Sequence, residues 1–229
     1  MISEASFLIS TKNSQSKYTV STRKKRASEV LRCLKITYPN AKIALKFGNN
    51  TQLLVAVILS AQCTDKKVNE VTAPLFKKYK TVADFADADM KTFEKEIHSC
   101  GFYRAKTRNI IAAAKMIRSE FKGKLPRTMH AMLRIPGVAR KTANVVLGNA
   151  YGVVEGIAVD THVIRFANVC GFSSHHDPIK IEKDLMQLFP KKDWFGLTYM
   201  VIDHGRASRR KEHKHESCNL RALCNNSEF

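Results

Sequence analysis

Apolar residues along this chain recur at three- and four-residue spacing, the period of helices that bury one face. Leu53, Leu54, Val57 and Ile58 form one such stripe, with Thr51 placed to cap its start. Between Arg104 and Phe121 the stripe is Ile110, Ala114, Ile117 and Phe121, the other face is basic, and Gly123 then Pro126 end the pattern. Asp177 before Pro178 supplies a cap and a proline at the first helical position, and Ile181, Leu185 and Leu188 continue from there. A short helix from Thr128 to Arg134 leads into Ile135-Pro136-Gly137-Val138-Ala139, and a second helix starts near Arg140 with Val145, Val146 and Ala150 facing inward. No alternating strand run, strand hairpin or internal repeat is visible. The fold class is therefore all-α, with short loops joining antiparallel neighbours.

Charge narrows the set of partners. Lys and Arg outnumber Asp and Glu by 39 to 20, a net +19 that suits a polyanion better than a small neutral substrate. Double-stranded DNA is the expected partner, with an affinity that falls steeply with salt as condensed counterions are released. No run of about twenty apolar residues exists to span a bilayer, so no membrane partner is expected. From Ser10 to Ser28 the chain is rich in Ser, Thr, Lys and Arg and free of acids, which reads as a solvated, disordered basic tail over residues 1–25. A transit peptide has a similar composition, so organellar targeting stays open beside a cytoplasmic, nucleoid-associated location. The six cysteines do not space as a disulfide framework and no secretory segment precedes them, which favours a reducing compartment.

The segment between the two short helices bears on how a polyanion is held. A proline and a glycine there force a tight turn, leaving the first N–H groups of the second helix without partners. Such groups suit a phosphate oxygen, aided by the positive helix end and by Arg140. An ordinary helix–helix turn would have the same Pro-Gly pair. The longer stretch Leu133-Arg134-Ile135-Pro136-Gly137-Val138-Ala139-Arg140-Lys141-Thr142-Ala143-Asn144-Val145-Val146-Leu147 closely resembles the helix-hairpin-helix signature of the endonuclease III glycosylases. It departs at Ala139, where that family usually has a second glycine, so the hairpin there must accommodate a Cβ. The resemblance runs from about Lys25 to Cys224, through Leu59-Ser60-Ala61-Gln62-Cys63-Thr64-Asp65, Gly101-Phe102-Tyr103-Arg104-Ala105-Lys106 and Val159-Asp160-Thr161-His162-Val163.

The resemblance implies a bifunctional DNA glycosylase/AP lyase of base excision repair, acting on DNA that contains damaged pyrimidines or abasic sites. It implies a six-helix barrel over residues 47–154, carrying the hairpin. Residues 26–46 and 155–229 form a second, discontinuous helical lobe across a cleft, and the enzyme is expected to act as a monomer. Lys141 is implied as the nucleophile: a neutral amine attacks the sugar C1′, displaces the base and leaves a Schiff base, from which β-elimination breaks the strand on the 3′ side. Asp160 is implied to assist base departure and to stabilise the positive charge developing on the sugar, and it is also placed to cap a helix. His162 is expected to be a packed or hydrogen-bonded group. Because C1′ of a stacked nucleotide is inaccessible, the nucleotide must be flipped, with Gln62 implied to fill the gap and Phe102 to wedge the opposite strand. Pro136, Gly137, Val138, Ala139, Arg140 and Thr142 are the expected phosphate-holding residues.

The same resemblance brings up a cofactor that this chain lacks the ligands for. Family members commonly end in C-x6-C-x2-C-x5-C, four thiolates around a [4Fe–4S] cluster. Here Cys218 and Cys224 fit the last two positions, His215 occupies the second, and Arg209 or Arg210 falls near the first. Two thiolates cannot hold the usual cluster, so its absence is expected. His213, His215, Cys218 and Cys224 form an alternative N2S2 set for zinc. Two other functions stay in view. A monofunctional mismatch adenine glycosylase lacks a lysine nucleophile at the position of Lys141, and a non-catalytic helix-hairpin-helix DNA-binding protein has no need for the Lys141–Asp160 pair.

Overall fold

A computed structural model describes residues 20–208. Among these residues there are α-helices, short 3-10 turns and no strands. In chain order the helices are α1 (Val20–Thr37), α2 (Asn50–Leu59), α3 (Asp65–Lys78), α4 (Val82–Ala86), α5 (Met90–Glu96), α6 (Tyr103–Glu120), α7 (Met129–Met132), α8 (Arg140–Tyr151), α9 (Thr161–Val169), α10 (Pro178–Leu188) and α11 (Trp194–Ala207). No described helix is long and apolar enough to cross a membrane.

Local chemistry explains most of the helix starts. Asn49, Thr64, Thr81, Asp89, Thr128, Asp160 and Asp177 each accept a backbone N–H from the first turn that follows. The cap of α2 is thus Asn49, whose Oδ1 accepts from Gln52 N at 3.0 Å, and not Thr51, which lies inside the first turn. α1 also begins earlier than its composition suggests. Residues 20–25, read from the sequence as part of the disordered tail, are helical, because the apolar positions Ala27, Val30, Leu31 and Leu34 that follow give the helix a buried face to extend from.

Buried side chains fall into two clusters. The first is built around α2, buried from Gln52 to Leu59, with α6 and α8 against it and Tyr79, Phe85 and Phe93 packed ring against ring at one end. Gln52 is polar inside this core, and its amide is fully used: Oε1 accepts from Gly48 N, and Nε2 donates to the carbonyls of Phe76 and Tyr79. The second cluster joins α1 to α9, α10 and α11 through Leu34, Val163, Phe166, Phe172, Leu185 and Leu197. Within it Cys170 is disulfide-bonded, whereas Cys33, Cys63 and Cys100 are free.

Polar and close contacts fasten one cluster to the other, most of them through α8. The Arg140 guanidinium grips the buried Glu182 of α10 with two bonds, Nε to Oε2 at 2.6 Å and Nη2 to Oε1 at 3.1 Å. Asn144 Nδ2 donates to the same Oε1 at 3.0 Å. Asn149 Nδ2 donates to Tyr199 Oη at 2.6 Å. Gly148 lets the Phe195 ring approach so closely that a Cβ would stand 2.3 Å from Phe195 Cε2, and at Gly156 a Cβ would stand 1.8 Å from Glu182 Oε1. Replacing Glu182 by Ala leaves the Arg140 guanidinium without its acceptor and Asn144 with only the Ile157 carbonyl. We expect Glu182→Ala to lower the unfolding free energy by about 3 kcal/mol in urea titrations; a loss under about 1 kcal/mol would show that solvent replaces the bonds.

Candidate active-site cleft

Between the two clusters lies a cleft of about 480 Å³. Its walls come from the turn after α2, the first turn of α8, the start of α9 and the cleft-facing side of α11. Lys141 and Thr142 line one side, Asp160 and His162 another, and Gln62 stands at the turn after α2. Residues 19, 79 and 98 positions apart in the chain thus share one opening. Lys141 is half-buried on α8, and its ammonium has no ion-pair partner among the described residues. Asp160 caps α9 through Oδ1, which accepts from Val163 N at 2.9 Å, while its carboxylate lines the cleft. Capping fixes the side chain without neutralising it. The His162 ring packs against α11 where only a glycine allows it, since a Cβ at Gly205 would lie 2.4 Å from its Nδ1.

The hairpin has the form the sequence suggests, with two differences. Ile135 and Val138 are buried and anchor the turn, while Gly137 and Ala139 are exposed. Val138 therefore contributes its backbone to the surface and its side chain to the core. Gly137 has φ +77°, and a Cβ there would meet Asn109 Cβ at 2.8 Å, so this position admits no larger residue. Ala139 is extended, with φ −87° and ψ 170°, a conformation open to any residue. The Cβ at the departure from the usual glycine is accommodated without strain. As the start of α8 it provides no side-chain cap, and the first helical bond runs from Ala143 N to Ala139 O. The N–H groups of Arg140, Lys141 and Thr142 are left at the helix end. The second difference is Arg140: its side chain is committed to Glu182 rather than free for a phosphate, and only its backbone N–H belongs to the hairpin surface.

Gln62 and Phe102 lie apart from each other in sequence and share one unusual feature. Both are exposed, Phe102 at 67%, and both have positive φ, 50° and 47°. A bulky residue in the left-handed region turns its side chain out of the regular path of the chain at a cost of about 1–2 kcal/mol. Phe102 is not core, and it starts α6 without a side-chain cap. It stands outside the cleft, as do Pro136, Gly137 and Val138. Sequence reasoning missed Tyr199, Arg206 and Lys42, which also line the cleft. Arg206 pairs with Asp65 and so joins α11 to the start of α3. Only the chain path brings these residues together, and no local pattern marks them.

No three His, Cys, Asp or Glu side chains gather as a metal site among the described residues. His213, His215, Cys218 and Cys224 lie outside the described residues. Counting the spacing back from His215 puts the first ligand position at Ser208, not at Arg209 or Arg210. Ser208 ends α11 and its Oγ donates to Gly205 O at 3.3 Å. A serine hydroxyl, a histidine and two thiols do not fit a site of four thiolates.

This architecture, two helical cores clasping a cleft beside a helix-hairpin-helix, defines the class. Residues 55–191 match the HhH-GPD superfamily of base excision DNA repair proteins. The chain is 47% identical to endonuclease III of Synechocystis sp., covering 90% of this chain and 94% of that one. It is 41% identical to endonuclease III of Bacillus subtilis, covering 82% and 86%. A solved structure of a trapped endonuclease III–DNA covalent intermediate superposes with a TM-score of 0.82 at 39% identity, covering 88% of this chain and 95% of that one. The chain belongs to the endonuclease III family.

The hairpin geometry separates its two small residues. Gly137→Ala is expected to lower the unfolding free energy by about 2 kcal/mol, through left-handed strain and the Asn109 contact. Ala139→Gly should change it by under about 0.5 kcal/mol. Equal losses in guanidinium titrations would contradict the assignment of φ at these positions.

Proposed function

We propose that this chain is a bifunctional DNA glycosylase and AP lyase that excises oxidised pyrimidines from duplex DNA, with Lys141 as nucleophile and Asp160 as its partner. The observation that carries this reading is the cleft itself: a lysine without an ion-pair partner among the described residues and a cap-fixed carboxylate line the same opening. The neutral amine of Lys141 attacks C1′ of the flipped nucleotide, the bond to the base breaks, and the base leaves with a proton. Sugar-ring opening then forms the Schiff base. Loss of a proton from C2′ expels the 3′ phosphate and nicks the strand. Asp160 stabilises the positive charge that develops on the sugar.

The surrounding geometry supports the rest of the reading. The N–H groups left at the start of α8 hold a phosphate oxygen beside Lys141. Gln62 fills the space left by the flipped nucleotide, and Phe102 unstacks the opposite strand, roles that suit exposed side chains turned outward by positive φ. A net charge of +19 supplies the nonspecific grip. Residues of one chain line the cleft, which supports a monomer as the active unit. A non-catalytic DNA-binding protein would have no use for the pairing of Lys141 with Asp160 in one cleft, and a monofunctional adenine glycosylase none for Lys141.

We further propose that the protein works without a [4Fe–4S] cluster, since its donor set does not fit one. Metal analysis of the purified protein should then find no iron. About four iron atoms per chain would overturn this, and about one zinc would support the His213, His215, Cys218 and Cys224 set instead.

Incubation with a duplex containing thymine glycol or an abasic site under borohydride should trap a covalent protein–DNA adduct, and Lys141→Ala should abolish it. Asp160→Asn keeps the cap and removes the charge, so single-turnover excision should fall by about 10²–10³. An adduct undiminished in Lys141→Ala would sink the assignment of the nucleophile.

A further inference from the structure

The turns that carry Gln62 and Phe102 rest on three side chains that the glycosylase chemistry does not use. Lys106 of α6 is 5% exposed, and its Nζ donates to Leu59 O and to Cys100 O, each at 2.8 Å. The first carbonyl ends α2, three residues before Gln62, and the second ends the 3-10 turn His98–Cys100, two residues before Phe102. One buried ammonium therefore pins both turns. Burial holds Lys106 below the usual lysine range, while the neighbouring Cys63 and Cys100 act the other way.

Those two cysteines complete the group. Both are free thiols, and each acts on the other at close range. Cys100 is 1% exposed, and burial, then Cys63, pushes its thiol up to about 11. It stays protonated and enclosed. Cys63 is half-buried and lines the cleft, open to small solutes. An accessible thiol backed by a second one in contact is the arrangement found in redox-sensing pairs.

We propose that Cys63 and Cys100 form a peroxide-sensitive dithiol whose oxidation to a disulfide locks the Gln62 and Phe102 turns together. The thiolate of Cys63 attacks one oxygen of hydrogen peroxide, the O–O bond breaks, and hydroxide leaves to take up the proton that the thiol released. Cys63 is then a sulfenic acid. Cys100 sulfur attacks Cys63 sulfur, the S–O bond breaks, and the hydroxyl leaves as water with the Cys100 proton. Two thiols and one peroxide thus yield one disulfide and two waters. A covalent S–S bond is shorter than any thiol–thiol contact, so its formation draws the two turns toward each other and shifts both exposed side chains. The effect on DNA rests on the reading of Gln62 and Phe102 as inserting residues. Formation of the bond does not.

The full-length protein would be treated with hydrogen peroxide, its remaining thiols blocked with N-ethylmaleimide, and its peptides mapped by mass spectrometry. Nicking of an abasic-site duplex would be followed in the same samples. The expected result is a peptide pair joined Cys63 to Cys100, nicking slowed by roughly a hundredfold as positioning is lost, and recovery with dithiothreitol. Cys100→Ala, which keeps Cys170 and its disulfide, should nick at the untreated rate after peroxide. Alkylated Cys63 and Cys100 after peroxide would overturn the proposal, as would a joined pair that nicks as fast as before. A reduced protein that never nicks DNA would overturn the proposed function and its link to the switch, while a mapped Cys63–Cys100 bond would still support the dithiol.

Discussion

Much of this structure depends on one buried carboxylate. Glu182 lies on α10 in the second core, yet its oxygens are taken up by Arg140 and Asn144 on α8, a helix that otherwise packs in the first. A charge removed from water is tolerated only if hydrogen bonds satisfy it, and here the satisfying groups sit one helical turn apart on a single face. The two cores are thereby held in one register. Lys141, next in sequence to Arg140, then lines the cleft rather than turning toward α10. The position of the candidate nucleophile follows from an ion pair in which it takes no part.

Helix ends divide the molecule into closed and open surfaces. Seven helices begin on a capping side chain, which consumes one orphan N–H and ends the segment cleanly. α6, α8 and α11 do not; they start on Phe102, Ala139 and Asp193. The first two of these uncapped starts coincide with the exposed aromatic and with the hairpin, the places read as meeting DNA. Unsatisfied donors at a helix end are retained where an outside acceptor completes them. Asp160 is the complementary case, since one carboxylate caps α9 and lines the cleft at once. Its fixed orientation comes from the cap, so the group needs no further ordering when charge develops nearby.

The buried Lys106 places the same logic under the turns proposed to insert into DNA. Carbonyls at the ends of α2 and of the turn before α6 would otherwise be orphaned against the core, and one ammonium answers both. Because the two turns share a donor, a displacement of either is felt by the other. That coupling is what makes the adjacent thiol pair consequential: a change in the distance between Cys63 and Cys100 is transmitted to Gln62 and Phe102 through a few backbone bonds.

Much of this was legible in the chain itself. Periodic apolar stripes marked α2, α6, α8 and α10, Asp177-Pro178 marked a helix start to the residue, and Pro136-Gly137 marked the turn, because these signals depend on local backbone preferences. Residue types at Gln62, Lys141 and Asp160 marked the chemistry only through a long resemblance. What local preference does not encode is which polar groups meet. Thr51 reads as well as Asn49 for a cap until the chain path into α2 decides between them, and Arg140 reads as a phosphate ligand until α10 brings Glu182 beside it. The small residues at Gly148, Gly156 and Gly205 carry no signal of their own, yet each admits a side chain from a distant element. The sequence by itself determined where helices form and which side chains carry reactive groups, since both are properties of neighbours along the chain. Tertiary structure alone decided that Lys141 and Asp160 share a cleft, that Arg140 is occupied and that Cys63 touches Cys100, because those contacts are set by how two cores are fastened across α8.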